Sequence, residues 1–252
     1  MKALVTGASS GIGRDIARQL SALGYDLILV ARRKTRLESL KKELSTNVEI
    51  ITTDLSSTFN CMKLYEQIKK EDIDILINNA GFGLAGEFTS TKLEKEMDMI
   101  DLNVKAVHTL TKCFLNDFVK KDKGYILNVA SIASLQPGGP LMTTYYATKS
   151  YVLSLTSSIY EELRRNKSNV YIGCLCPGPV DTEFNKVAKV DFNLPSLDSE
   201  YVSRYAVRKM FKRKLIIIPG TLTKLGYYGT KLLTRKMKLR ILYNIQKKKI
   251  NK

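Results

Sequence analysis

The chain of 252 residues carries a formal net charge of +17, with 44% hydrophobic and 26% charged side chains. It has enough apolar sequence for one full core, no Pro/Gly/Ser-rich linker or internal repeat to divide it, and no run of about 18 apolar residues to cross a bilayer. Four cysteines and the single histidine, His108, argue against a disulfide framework and a metal site, so the expected compartment is the reducing cytoplasm.

Residues 2–6 read as a short buried strand and residues 12–23 as an amphipathic helix. Between them, Thr6-Gly7-Ala8-Ser9-Ser10-Gly11-Ile12-Gly13 forms the turn. Without Cβ atoms, Gly7, Gly11 and Gly13 let the backbone turn tightly and admit a pyrophosphate to the N–H groups at the helix N-terminus, where the dipole favours negative charge. The spacing differs from G-x-G-x-x-G, and taken alone it is equally an ordinary tight turn. The second strand, residues 27–31, runs into Arg32-Arg33-Lys34. No acid stands where NAD-selective sites place one on the ribose hydroxyls. Three cations at the start of a predicted helix, where the dipole disfavours them, need an anionic partner unless the turn is simply solvated.

Further strands are predicted at 48–52, 73–78, 125–130, 170–176 and 215–218, alternating with helix-length segments as a parallel α/β sheet requires. The fourth ends in Asn78-Asn79-Ala80-Gly81, the fifth at Ser131 and the sixth at Pro177-Gly178-Pro179-Val180-Asp181-Thr182. Ligands of open parallel sheets bind outside the carboxyl ends of the strands, so these segments converge on the crevice that receives the glycine turn. Cys174 and Cys176 share one strand face and read as small core residues.

Thr144-Tyr145-Tyr146-Ala147-Thr148-Lys149 places Tyr145 and Lys149 at i and i+4, on one helical face. An unperturbed phenol has a pKa of about 10. An adjacent ammonium favours its ionised form and is expected to bring it toward neutrality, where it serves as a proton donor and acceptor. Tyr146, at i+3 from Lys149, is the rival.

Through residues 6–13, Asn78 to Gly81, Asn103, Ser131, Tyr145 with Lys149, and residues 177–182, the chain resembles the short-chain dehydrogenase/reductase family over roughly its first 185 residues. The resemblance implies a Rossmann-like, doubly wound α/β fold: one seven-stranded parallel sheet with helices on both faces in a single domain, taken as residues 1–220. It implies a catalytic set of Ser131, Tyr145, Lys149 and Asn103. Tyr145 would protonate a carbonyl oxygen held by Ser131, Lys149 would lower the Tyr145 pKa and bind the nicotinamide ribose, and Asn103 would orient a proton-relaying water. Ser134 is an alternative to Ser131. The spacing from Ser131 to Tyr145 is one residue longer than is commonest in the family, with Gly138-Gly139 as the insertion.

Cofactor contacts implied in the same way are Gly7, Ser9, Ser10, Gly11, Ile12, Gly13, Asp54, Leu55, Asn79, Ala80, Gly81, Tyr145, Lys149, Pro177, Gly178, Val180 and Thr182. Arg32 and Arg33 fit the 2′-phosphate of NADP(H) through charge-assisted hydrogen bonds. The expected activity is NADPH-dependent reduction of a carbonyl, or oxidation of a secondary alcohol. The alternative is a nucleotide-sensing or membrane-associated interaction protein on the same fold. Phe82, Leu84, Leu135, Pro137, Leu141, Met142, Phe184, Val187, Phe192 and Leu194 predict either an apolar substrate or a lid packed on the body. The resemblance also implies a homo-oligomer, since the family is often dimeric or tetrameric.

Of the 41 Lys and Arg residues, 16 fall within 201–252, and none of the 24 acids does. Residues 221–252 form a basic amphipathic tail, with Leu222, Leu225, Tyr228, Leu232, Leu239 and Leu242 at helical spacing. An anionic membrane surface at the inner face is the expected partner. The rivals are docking on the body or on a partner subunit. Nucleic acid is not expected, because no recognised module accompanies the charge.

Overall fold

The computed structural model describes residues 1–188, 196–230 and 232–250. Seven strands alternate with helices along the chain. Strand β1 (Lys2–Thr6) leads to α1 (Gly11–Ala22), β2 (Asp26–Ala31) to α2 (Lys34–Glu43), and β3 (Val48–Thr52) to α3 (Thr58–Ile68). Strand β4 (Ile73–Asn78) precedes α4 (Leu93–Ile100), a π-helical stretch (Asp101–Ala106) and α5 (Val107–Lys120). Strand β5 (Tyr125–Val129) is followed by α6 (Thr143–Arg165), and β6 (Tyr171–Leu175) by α7 (Phe184–Ala188) and α8 (Ser199–Phe211). The short β7 (Ile216–Ile217) leads to α9 (Thr221–Thr230) and α10 (Arg235–Ile250).

All seven strands are parallel, in the order β3-β2-β1-β4-β5-β6-β7. The order reverses between β1 and β4, and that switch point opens the crevice at the strands' carboxyl ends. Period-2 alternation feeds two cores. On one face Ala3, Val5, Leu27 and Leu29 pack with Ile16 and Leu20 of α1 and Val202 and Ala206 of α8. On the other, Leu4, Ile28 and Val30 pack with Leu64 of α3, Phe114 and Phe118 of α5 and Leu163 of α6. The predicted doubly wound, seven-stranded parallel sheet is therefore the observed one, and its seventh strand is cut to two residues at the sheet edge.

A buried polar chain fixes α5 and α6 against the sheet. Asn78 donates to Thr111 Oγ1 at 3.0 Å and to Asn128 Oδ1 at 2.9 Å, and Asn128 donates to Thr156 Oγ1 at 3.0 Å. Helix α6, which carries Tyr145 and Lys149, is thereby set in register with the ends of β4 and β5. Phe192 and Leu194 lie outside the described residues.

Candidate active site

A cavity of 490 Å³ lies along the carboxyl edge of the sheet, lined by segments after β1, β2, β3, β4, β5 and β6 and by α6, α7 and α10. Its β1 end is built on backbone. Gly7 has φ +65°, and a Cβ there would lie 2.8 Å from Ala80 Cα; at Gly13 it would lie 2.5 Å from the Gly7 carbonyl oxygen. Thr6 Oγ1 accepts from the N–H groups of Asn79 at 2.9 Å and Ala80 at 3.1 Å, while the Asn79 side chain donates to the carbonyls of Thr6 at 3.0 Å and Gly7 at 3.2 Å. The turn is thus pinned to the end of β4, with the N-terminus of α1 facing the cavity. Gly7, Ser9, Ser10, Gly11 and Ile12 line it. Gly13 does not; it packs behind the turn, because its place is filled by Asn79 and the Gly7 carbonyl.

At the β2 end, Arg33 donates to Ser9 Oγ at 3.0 Å and Ser10 Oγ at 2.9 Å, and pairs with Glu183 at 2.8 Å. Arg36, in the first turn of α2, also holds Glu183. These two guanidiniums, Arg36 first, hold the Glu183 carboxyl down at about 2. Arg32 lies 3.7 Å from Asp54 and is largely exposed. The anion required by the three cations is therefore found in part within the chain. Sequence reasoning missed Arg36 and Glu183, although Arg36 stands one helical turn beyond Arg32 and Arg33.

The donor set fits a phosphorylated dinucleotide. Turn backbone and a helix N-terminus would meet a pyrophosphate, while Ser9, Ser10 and Arg33 on the cavity wall would meet a further phosphate. Asp54, Leu55, Ala80, Gly81, Pro177, Gly178, Val180 and Thr182 line the space between.

Ser131, Tyr145 and Lys149 converge in the middle of the cavity. Lys149 Nζ donates to the Val129 carbonyl at 2.9 Å and stands 6.0 Å from the Tyr145 ring centroid. Burial raises the Tyr145 phenol above its ordinary value, with a hydrogen bond from Ser131 drawing it partly back. The same enclosure lowers Lys149 to about 8. The expected lowering of Tyr145 is thus not found, because desolvation outweighs the hydrogen bond from Ser131. The phenol is held neutral, as a proton donor must be.

Ser134 is turned away, donating to the Ser131 carbonyl at 2.5 Å, with its oxygen 3.5 Å from Cys176 Sγ. Ser131 remains on the cavity wall. Asn103, in the π-helical stretch, is fully buried and lies behind that wall. It donates to the Phe82 carbonyl at 2.9 Å and Thr148 Oγ1 at 3.1 Å, and accepts from Phe82 N–H at 3.1 Å. It braces Phe82 and α6 through direct bonds. His108 pairs with Tyr151 at 2.7 Å on the exposed side of α5.

The far end of the cavity is apolar. Phe82, Met142, Phe184 and Val187 line it, whereas Leu135 packs beside Cys176 and Leu84 beside Phe184 in neighbouring clusters. Helix α10 closes this end with Leu242, Ile245 and Gln246. Arg235 donates to the Pro137 carbonyl at 3.0 Å, and Gln246 Nε2 donates to the Tyr146 hydroxyl at 2.6 Å. The Gly138-Gly139 segment accommodates this. A Cβ at Gly139 would enter the Tyr146 ring, and Gly138 passes under Leu239. Tyr146 consequently faces α10 while Tyr145 faces Ser131. Among the described residues, the charged lining side chains other than Lys149, namely Arg32, Arg33, Asp54 and Glu183, all belong to the β2–β3 end.

A family model described as short chain dehydrogenase matches residues 1–191. An NADP-dependent 3-hydroxy acid dehydrogenase of Schizosaccharomyces pombe is 32% identical over 245 residues, which are 90% of this chain and 93% of that protein. An uncharacterized oxidoreductase of Staphylococcus epidermidis is 34% identical over 182 residues, which are 71% of this chain and 78% of that protein. Among solved structures, a short-chain dehydrogenase from Sphingobium yanoikuyae in complex with NADPH has a TM-score of 0.82 at 31% identity, covering 90% of this chain and 91% of that one.

Proposed function

The chain belongs to the short-chain dehydrogenase family, and from that premise we propose that this oxidoreductase uses NADP(H) to interconvert a neutral, largely apolar ketone and its secondary alcohol. The observation that carries the reading is the convergence of Ser131, Tyr145 and Lys149 between a phosphate-binding end and an apolar end of one cavity. When bound, the reduced cofactor supplies the hydride. The Ser131 hydroxyl holds the carbonyl oxygen by a hydrogen bond, and the neutral Tyr145 phenol donates its proton to that oxygen. Lys149, charged below about pH 8, stabilises the resulting phenolate. Asn103 keeps Phe82 and Thr148 in place, and through Thr148 the turn of α6 that bears Tyr145 and Lys149.

Arg33, Arg36, Ser9 and Ser10 favour NADP over NAD, since they supply donors where an NAD-selective site would present a carboxylate. Phe82, Met142, Phe184, Val187 and Leu242 at the other end favour a substrate of mainly apolar surface. NADPH oxidation over ketones of graded apolar bulk tests the reading. Turnover rises with bulk and falls by about 10²- to 10⁴-fold in Tyr145→Phe. Turnover indifferent to that change, or abolished in Tyr146→Phe alone, contradicts it.

The outer face of α10 exposes Lys236, Arg240, Lys247 and Lys248, and α9 exposes Leu222 and Leu225. These faces suit an anionic lipid surface while the inner face of α10 stays on the cavity. Among the described residues no helix is long and apolar enough to cross a membrane. Sedimentation with anionic vesicles, lost in Lys236→Glu/Arg240→Glu/Lys247→Glu, checks this contact.

A further inference from the structure

Helix α10 contributes one face to the cavity, with Leu242, Ile245 and Gln246 at i, i+3 and i+4. Gln246 differs from its neighbours in being an amide on an otherwise apolar surface, and it is only 2% exposed. Its Nε2 is bonded to Tyr146, but its Oε1 is enclosed and has no hydrogen-bond partner among the described residues. An unpaired buried carbonyl is costly, and a helix that merely needed to pack here would be served better by leucine. A second buried amide oxygen without a partner, Asn185 Oδ1 on α7, lines the same cavity. Phe184, beside Asn185, packs on the Tyr145 ring at 5.4 Å, and Tyr146 lies 6.2 Å from that ring. The cavity around Tyr145 is thus apolar in its bulk and carries unmatched acceptors at its α7 and α10 walls.

We propose that Gln246 is a specificity-determining residue whose Oε1 accepts a hydrogen bond from a hydroxyl or amide N–H of the substrate, a few bonds from the reacting carbonyl. The inference rests on the reductase reading and narrows its substrate class to neutral, mainly apolar carbonyl compounds bearing one hydrogen-bond donor. Sites built to bond a substrate hydroxyl discriminate against the analogue lacking it, because the site's own polar group is then left unpaired. Tyr146, bonded to the same amide, is a positioning residue for Gln246. The carbonyl end remains with Ser131 and Tyr145.

The test compares an apolar ketone with counterparts carrying a hydroxyl at successive carbons from the carbonyl, together with the methoxy analogue, which accepts but does not donate. Discrimination is read in kcat/KM with NADPH and, separately, in binding of the same compounds to the protein saturated with NADP⁺. The best-placed hydroxyl improves kcat/KM and binding by about tenfold over the unsubstituted and methoxy compounds. Gln246→Leu brings the ratio to near one by losing affinity for the hydroxylated compound alone, and Gln246→Glu, which keeps an acceptor, restores much of it. Thermal unfolding and NADPH titration of each variant separate this from a loss of fold. Equal losses on all compounds in Gln246→Leu, equal or undetectable binding of the compounds by the wild-type chain, or a methoxy group as effective as the hydroxyl overturns the inference. Binding discrimination without turnover of any ketone overturns the reductase reading and leaves the role of Gln246 standing.

Discussion

The two ends of the cavity are made differently. At the phosphate end the wall is chiefly backbone, shaped by Gly7 and Gly13 and tied by Thr6 and Asn79 to the end of β4. At the apolar end the wall is side chain, brought by α7 and α10 from remote parts of the chain. A backbone cradle tolerates almost no change because a Cβ would strike main-chain atoms. A side-chain wall can be recut residue by residue, so under the proposed function the first end would fix the cofactor and the second would set the substrate.

Substitutions at one end should therefore leave the other undisturbed. The largest effect is expected in Arg33→Ala/Arg36→Ala. It removes the charge-assisted donors and weakens NADPH by about 100-fold, with NADH little changed, in direct titration. Next, Leu242→Ala opens the apolar wall. It lowers kcat/KM for bulky ketones by about tenfold without altering NADPH affinity. Equal effects on both ligands in either variant would erase the distinction between the two ends.

The pH dependence lies between the ends, at Lys149. With its pKa lowered to about 8 by burial, Lys149 loses its charge above that pH, and ketone reduction falls by up to about tenfold per pH unit. The linked effect on stability has the opposite sign. Between about 8 and the ordinary lysine value of 10.5 the unfolded chain binds more protons, so the contribution of Lys149 to stability rises with pH. A rate that falls while thermal stability holds identifies titration rather than unfolding. The smallest effect belongs to Glu183→Gln. It frees Arg33 and Arg36 from a half-exposed carboxylate and tightens NADPH by about threefold.

Much of this architecture was legible in the sequence wherever a requirement is local. Apolar strand runs, the glycine turn and the Tyr145/Lys149 spacing each reflect sterics within a few residues, and the structure places them where those sterics demand. What depends on distant contacts was not legible. Arg33 meets Glu183 150 positions away, and Tyr146 meets Gln246 100 positions away. Gln246 left one signal, an uncharged amide four residues beyond Leu242 on the apolar face of a basic helix. The tyrosine spacing predicted proximity to Lys149 but carried no information on burial, and burial reversed the direction of the Tyr145 shift. The tail likewise read as amphipathic, while its role as a cavity wall depended on the path of the Gly138-Gly139 segment beneath it.

The most direct measurement follows the hydride itself. NADPH deuterated at the nicotinamide C4 is incubated with an apolar ketone, and the alcohol is analysed by mass spectrometry for wild type and Tyr145→Phe. Deuterium at the carbinol carbon with the wild-type chain, and a rate at least about 100-fold lower with Tyr145→Phe despite intact NADPH binding, is the predicted result. Alcohol formed without deuterium, or at an undiminished rate by Tyr145→Phe, would contradict it.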